Sequence, residues 1–222
     1  MNTSILWFGL VVLTFSWTNP CVAQSLSRAE KPEIRVGDAS IFEDRNIRIG
    51  EKREIRFRAA VVDSDKIVTE TAGATSGTRT FTRDWNLIEI KSGDTVTQSA
   101  KPFWPYLRFP LEIGQTWESP IDVEVTTLPL KRHAKWRWKA RVVTTEAVTV
   151  PAGTFQAFRI EYEGTYVTTR EDGKSWAGTH KETAWYAPEV MRIVRREFEQ
   201  SASANNFFDH HVIELLSFEP AR

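Results

Sequence analysis

Four histidines, His133, His180, His210 and His211, are the side chains best suited to acid–base or metal chemistry in this sequence. His210 and His211 are adjacent, and on a strand neighbours point to opposite faces, so they do not share a metal without distortion. Asp209 offers a carboxylate beside them, and His180 approaches from a neighbouring hairpin together with Glu182. That constellation, His180, His210 and Glu182, is the enzymatic alternative, with no assignable reaction class. No HExxH, GxSxG, P-loop or GxGxxG pattern occurs. The single cysteine, Cys21, excludes a thiolate zinc cluster. The expectation is no catalytic residue, no metal and no cofactor.

Two other patterns carry more weight. Lys135, Arg137, Lys139 and Arg141, preceded by Lys131, recur at period two and so share one face of a strand. This basic comb reads either as a docking edge for anionic groups or as a solvated face balanced by Glu161 and Glu163 that also deters edge aggregation. The intervening residues include Trp136 and Trp138, and seven of the nine tryptophans follow residue 23. Such density either fills the concavity of a curved sheet or lines it for an apolar ligand. Trp104 and Tyr106, in the Pro-framed stretch Phe103–Pro110, are placed to close a cavity mouth.

Strands must position these groups. Beyond Glu33, β-branched and aromatic residues alternate with polar ones in short runs bounded by Gly, Pro, Asp and Asn, and no stretch holds a helical apolar period over three turns. The runs predict strands at 53–62, 66–71, 78–83, 87–92, 95–101, 121–127, 133–150, 154–169, 174–187, 192–199 and 210–218. A turn at Val150–Thr154 predicts a long hairpin in which Trp138 faces Tyr166, Val142 faces Tyr162 and Arg141 faces Glu163. In the next hairpin, turning at Asp172–Gly173, either Lys181 or Glu182 points to the aromatic face, depending on register. Glu146 shares inward parity unless a bulge before Val148 turns it out. Unpaired charges on this face are costly, so it is expected to be paired or partly wet.

Composition bounds the rest. The chain has 222 residues, 41% hydrophobic and 26% charged, with 29 basic residues against 29 acidic ones. This is a globular chain without a global field for nucleic acid or an anionic membrane. Ile5–Phe15 is an uncharged apolar run, too short to span a bilayer, which needs about 20 residues. Followed by Cys21-Val22-Ala23, it reads as a signal peptide over residues 1–23. The expected organisation is a leader, a flexible segment at 24–35 and a single β domain at 36–222, in the periplasm or secreted. No integral membrane span is expected after cleavage.

Three stretches, Phe109-Pro110-Leu111-Glu112-Ile113-Gly114-Gln115-Thr116-Trp117, Val150-Pro151-Ala152-Gly153-Thr154-Phe155 and Trp185-Tyr186-Ala187-Pro188-Glu189-Val190, resemble in order and spacing a group of uncharacterised secreted bacterial β proteins. The resemblance spans about Val36 to the C-terminus. It departs at Met191, where the group has Gly. It implies an all-β antiparallel meander, with little helix, curved into a half-barrel or incomplete barrel similar to periplasmic lipoprotein carriers, and no established catalytic residue. The resulting expectation is a non-enzymatic envelope binding protein whose concave face, carrying Trp104, Tyr106, Trp136, Trp138, Tyr162, Tyr166, Trp185 and Lys181 or Glu182, takes an apolar or lipid-like ligand or an envelope protein segment. The alternative is an assembly module with a self-filled core. Nucleic acid is not an expected partner. N-terminal sequencing of envelope-fraction protein should return Gln24; an intact Met1 in the cytoplasm would remove the leader and the compartment together.

Overall fold

A computed structural model describes residues 26–73, 76–126 and 130–221. Residues 1–23, read above as a signal peptide, and Cys21 among them lie outside the described residues. The strands are β1 (Arg28–Ala29), β2 (Ala39–Asn46), β3 (Lys52–Val62), β4 (Lys66–Gly73), β5 (Gly77–Thr82), β6 (Leu87–Ser92), β7 (Thr95–Trp104), β8 (Leu111–Glu112), β9 (Thr116–Val125), β10 (Arg132–Val150), β11 (Gly153–Arg170), β12 (Ser175–Ala187), β13 (Arg192–Ala202) and β14 (Phe207–Glu219). Helix among the described residues is confined to single 3₁₀ turns at Pro188–Val190 and Ala204–Asn206.

The all-β antiparallel meander holds, but the half-barrel or incomplete barrel does not. β14 pairs with β2 and β7 pairs with β9, so the sheet closes into a barrel of 12 strands in the order β10-β11-β12-β13-β14-β2-β3-β4-β5-β6-β7-β9. The miss lies in β2. Its sequence, Ala-Ser-Ile-Phe-Glu-Asp-Arg-Asn, has weak strand grammar, and its inward positions beyond Phe42 carry Asp44 and Asn46, which bond His211 rather than apolar neighbours. The β1–β8 ribbon lies apart from the barrel ladder. Within it Arg28 pairs with Glu112, and Ala29 and Ile34 are buried.

β10 shows why the wall faces as it does. Ala134, Trp136, Trp138, Ala140 and Val142 are buried inside, whereas Lys135, Arg137, Lys139 and Arg141 are exposed outside. Charges at mid-strand on the outer face differ from the apolar band of a membrane barrel. No helix of the described residues is long and apolar enough to cross a membrane.

The faces of the long hairpin are as expected, but the partners are displaced by two. Trp136 faces Tyr166, Trp138 faces Gly164, Ala140 faces Tyr162, and Arg141 faces Glu161 rather than Glu163. Two departures from the regular register add up: the turn pairs Val150 with Gly153, and a bulge at Val143 shifts the ladder once more. Beyond that bulge Val148 and Val150 enter a second core with Phe155, Val190, Val194 and Leu215, and Ala152 N donates to Leu215 O at 3.1 Å.

Two glycines make room for the aromatics. A Cβ on Gly164 would sit 3.0 Å from the Trp138 ring, and one on Gly178 would sit 2.1 Å from Tyr166 Cζ and 2.3 Å from Ser201 O. Both are extended strand residues chosen for space, not for left-handed backbone. In denaturant melts Trp138→Ala should cost about 3–5 kcal/mol, Gly178→Ala about 1–3 kcal/mol, and Arg141→Ala no more than about 1 kcal/mol. The reverse ranking would invert the faces.

Candidate functional site

One end of the barrel is packed shut. Between β7 and β9 the chain turns inward and fills the interior: Trp104 contacts Trp136 and Trp138 at 4.9 and 5.4 Å between ring centroids, and Tyr106 meets Trp138 and Tyr162. Main-chain atoms from Pro105 to Leu107 are hydrogen-bonded. Tyr162 Oη donates to Tyr106 O at 2.6 Å, Trp117 Nε1 to Pro105 O at 2.9 Å, and Asn86 bonds both N and O of Leu107.

A buried ion pair clamps the plug. Arg196 donates to both oxygens of Glu182 at 2.6 and 2.9 Å and to Tyr106 Oη at 3.1 Å, with its guanidinium 4.6 Å from the centre of the Tyr106 ring. His180 Nε2 donates to Glu182 at 3.1 Å, while its Nδ1 has no partner among the described residues. Burial alone would raise the carboxyl pKa of Glu182. The Arg196 charge and the hydrogen bonds from His180 and Arg196 outweigh it and hold the group at about 2. Arg196 is correspondingly raised, burial being overcome by Glu182. Burial pushes the phenols of Tyr106 and Tyr162 up. Phe198 stacks between His180 and His211 at 5.3 and 5.0 Å, and His211 in turn bonds Asp44 and Asp209.

The other end is open. A cavity of about 1020 Å³ enters between the turns there, walled by Trp104, Trp136, Tyr166 and Trp176 and by small residues such as Ala134 and Ala202. Trp136 and Tyr166 stack at 4.2 Å, and the Tyr166 hydroxyl is fixed by donating to Ser201 O at 2.9 Å while accepting from Gln200. Phe207 and Phe208 line the mouth and are exposed, as are Ile47 and Ile49 on either side of the lining residue Arg48.

The residues singled out from the sequence therefore separate. Trp104, Trp136 and Tyr166 meet at the cavity, whereas Tyr106, Trp138, Tyr162 and Glu182 belong to the packed interior beyond it. Lys181 is on the outer face, opposite Glu163 and Glu199. Gly173, at φ +85°, makes the turn at Asp172 a three-residue loop, which puts Glu182 rather than Lys181 inward, opposite Tyr162. Trp185 donates to Glu146 at 2.7 Å and packs on the second core, so the bulge at Val143 does turn Glu146 away from the cavity. His210 sits on the outer wall with Glu197, apart from His180. The comb faces Asp122 and Glu118 of β9 as well as Glu161 and Glu163. Among the described residues no group of three or more His, Cys, Asp or Glu is placed to hold a metal. Sequence reasoning missed Arg132, Arg170, Trp176 and the β13–β14 turn; Arg132 has the parity of Trp136, the one signal that places it inside.

No family model and no curated protein matches the chain. Among solved structures, it is similar to a candidate lipoprotein of Parabacteroides distasonis (12% identity, 86% of this chain and 99% of the other, TM-score 0.47). It is also similar to a candidate exported protein with YmcC-like fold from Bacteroides fragilis (16%, 86% and 99%, 0.41). A third is the hypothetical lipoprotein YmcC of Escherichia coli (12%, 84% and 85%, 0.45).

The depressed Glu182 pKa has a definite sign. Its contribution to stability is present above the usual value of 4.5 and is lost as pH falls from there toward about 2. Glu182→Gln should flatten that part of the acid-stability profile. At neutral pH it should also cost about 3 kcal/mol, the low end for a broken buried pair, because the Arg196 side chain keeps 25% exposure. Urea melts at a series of pH values measure both.

Proposed function

We propose that the protein is an exported, non-enzymatic binding protein of the bacterial envelope that holds an apolar, lipid-like molecule in the open end of its barrel. The observation that carries this reading is the aromatic-walled cavity of about 1020 Å³, at the upper end of the span of about 300–1,000 Å³ usual for small-molecule sites. Its floor is built on the clamped plug, so the walls are preorganised. Exposed Ile47, Ile49, Phe207 and Phe208 extend apolar surface from the cavity to the rim, the kind of exposed patch that marks a binding site. Export rests on the leader-like residues 1–23.

A small molecule is favoured over a protein segment because the closed ladder offers no strand edge for an added strand. The self-filled module accounts for the plugged end and leaves the open end without a role.

A polarity-sensitive apolar dye should bind purified protein saturably at one site. Ala202→Trp, which puts an indole into the cavity, should weaken that binding by at least about tenfold without lowering the melting transition. Dye uptake that never saturates, or that the variant leaves intact, would refute the reading. Native mass spectrometry of protein taken from its own envelope then identifies what co-purifies.

A further inference from the structure

Resting on the cavity reading above, we infer that the ligand is an amphiphile with a single anionic head group, a carboxylate or a phosphate, held at the mouth by Arg132 and Arg170. Among the described residues, four cationic ones, Arg48, Arg132, Arg170 and Lys174, line the cavity, and no carboxylate does. Arg132 and Arg170 lie directly opposite each other in the β10–β11 ladder. Both have the parity of Trp136 and Tyr166 and so face the cavity. Like charges in this cross-strand position, with Cβ atoms about 5 Å apart, repel.

Two outer pairs of the same hairpin do the opposite. Lys139 faces Glu163 and Arg141 faces Glu161, so the register sets opposite charges together outside and like charges together at the mouth. Asp172 offsets part of this, since it accepts two hydrogen bonds from the Arg170 guanidinium and also attracts Lys174. Among the described residues it is the only carboxylate hydrogen-bonded to any of the four, and neither Arg48 nor Arg132 has an ion-pair partner there. A local arrangement that opposes stability with no gain in the free protein points to a bound group that reverses the sign. A planar guanidinium pair matches the paired oxygens of a carboxylate or phosphate.

The order of groups along the wall sets the orientation of the ligand. Arg132 precedes Ala134 and Trp136 on the same face of β10, and Arg170 follows Thr168 and Tyr166 on β11, so charge is at the rim and aromatic surface lies within. A chain bound by this wall enters tail first.

Displacement titrations with dodecanol, laurate and dodecyl phosphate, which share one chain length, test this. Laurate or dodecyl phosphate should bind at least about tenfold more tightly than dodecanol at low ionic strength. The tighter of the two acids identifies the head group, and added salt should reduce the preference. Arg132→Gln and Arg132→Gln/Arg170→Gln should remove the preference and leave dodecanol affinity unchanged, and Arg132→Gln, which keeps the Arg170–Asp172 pair, should keep or raise the melting temperature because repulsion is relieved. Arg48→Gln, on a turn outside the ladder, checks the charge effect independently of folding. Equal binding of acid and alcohol, or a preference that survives both arginine substitutions, would overturn the inference while leaving the cavity reading intact. Failure of all three probes to displace the dye would overturn both.

Discussion

A closed sheet of this many strands encloses more space than its own side chains can fill, and that surplus governs everything inside it. About eight strands give an interior that side chains just fill, and diameter grows with strand number. With 12 strands, something else must enter or a void must remain. At one end the chain itself enters, as the aromatic segment between β7 and β9. The plug brings backbone amides and carbonyls into an apolar space, which is tolerable where those main-chain groups find partners. Asn86, Tyr162 and Trp117 supply those partners for Pro105, Tyr106 and Leu107.

The buried Glu182–Arg196 pair belongs to the same problem. An ion pair in a core is seldom a net gain over apolar packing. Here its geometry does what a leucine cannot. Arg196 covers the Tyr106 ring with its guanidinium plane and hydrogen-bonds the phenol, while Glu182 fixes the plane with two oxygens. The pair thereby sets the position of the plug, and the plug sets the depth of the cavity.

Much of this is legible one strand at a time. The alternation in β10 gives the inner and outer faces correctly, because Trp136, Trp138 and Val142 on one side and Lys135, Arg137 and Lys139 on the other admit one assignment. What escaped were quantities set by single residues or by distant pairing. Val143 bulges and Gly173 adopts a left-handed conformation, and each moves a register by one, which decides the partner of Arg141 and whether Lys181 or Glu182 turns inward. Closure rests on β2 meeting β14 across nearly the whole chain, and no local pattern in Ala39–Asn46 announces it. Arg132 against Arg170 becomes visible only once that register is known.

The cavity, by contrast, is written in side-chain size. Moving outward along the inner face of β10, the residues are Trp138, Trp136, Ala134 and Arg132, and along β11 they are Tyr162, Gly164, Tyr166, Thr168 and Arg170. Ala202 ends the corresponding face of β13. Near the mouth Ala134 faces Thr168, with Trp176 beyond it, and one level deeper Ala202 faces Gly178; at Ala134, Thr168 and Ala202 larger apolar residues would bury more surface and narrow the void. Deeper in, the β10 and β11 walls carry Trp136 opposite Tyr166, and Trp138 against Tyr162. Packing for stability alone would fill the small-residue positions as fully as the aromatic ones. Here aromatics stand deep on β10 and β11, small residues follow toward the mouth and the facing Arg132 and Arg170 end the two strands, a gradient of size and charge along this hairpin that the proposed ligand would account for.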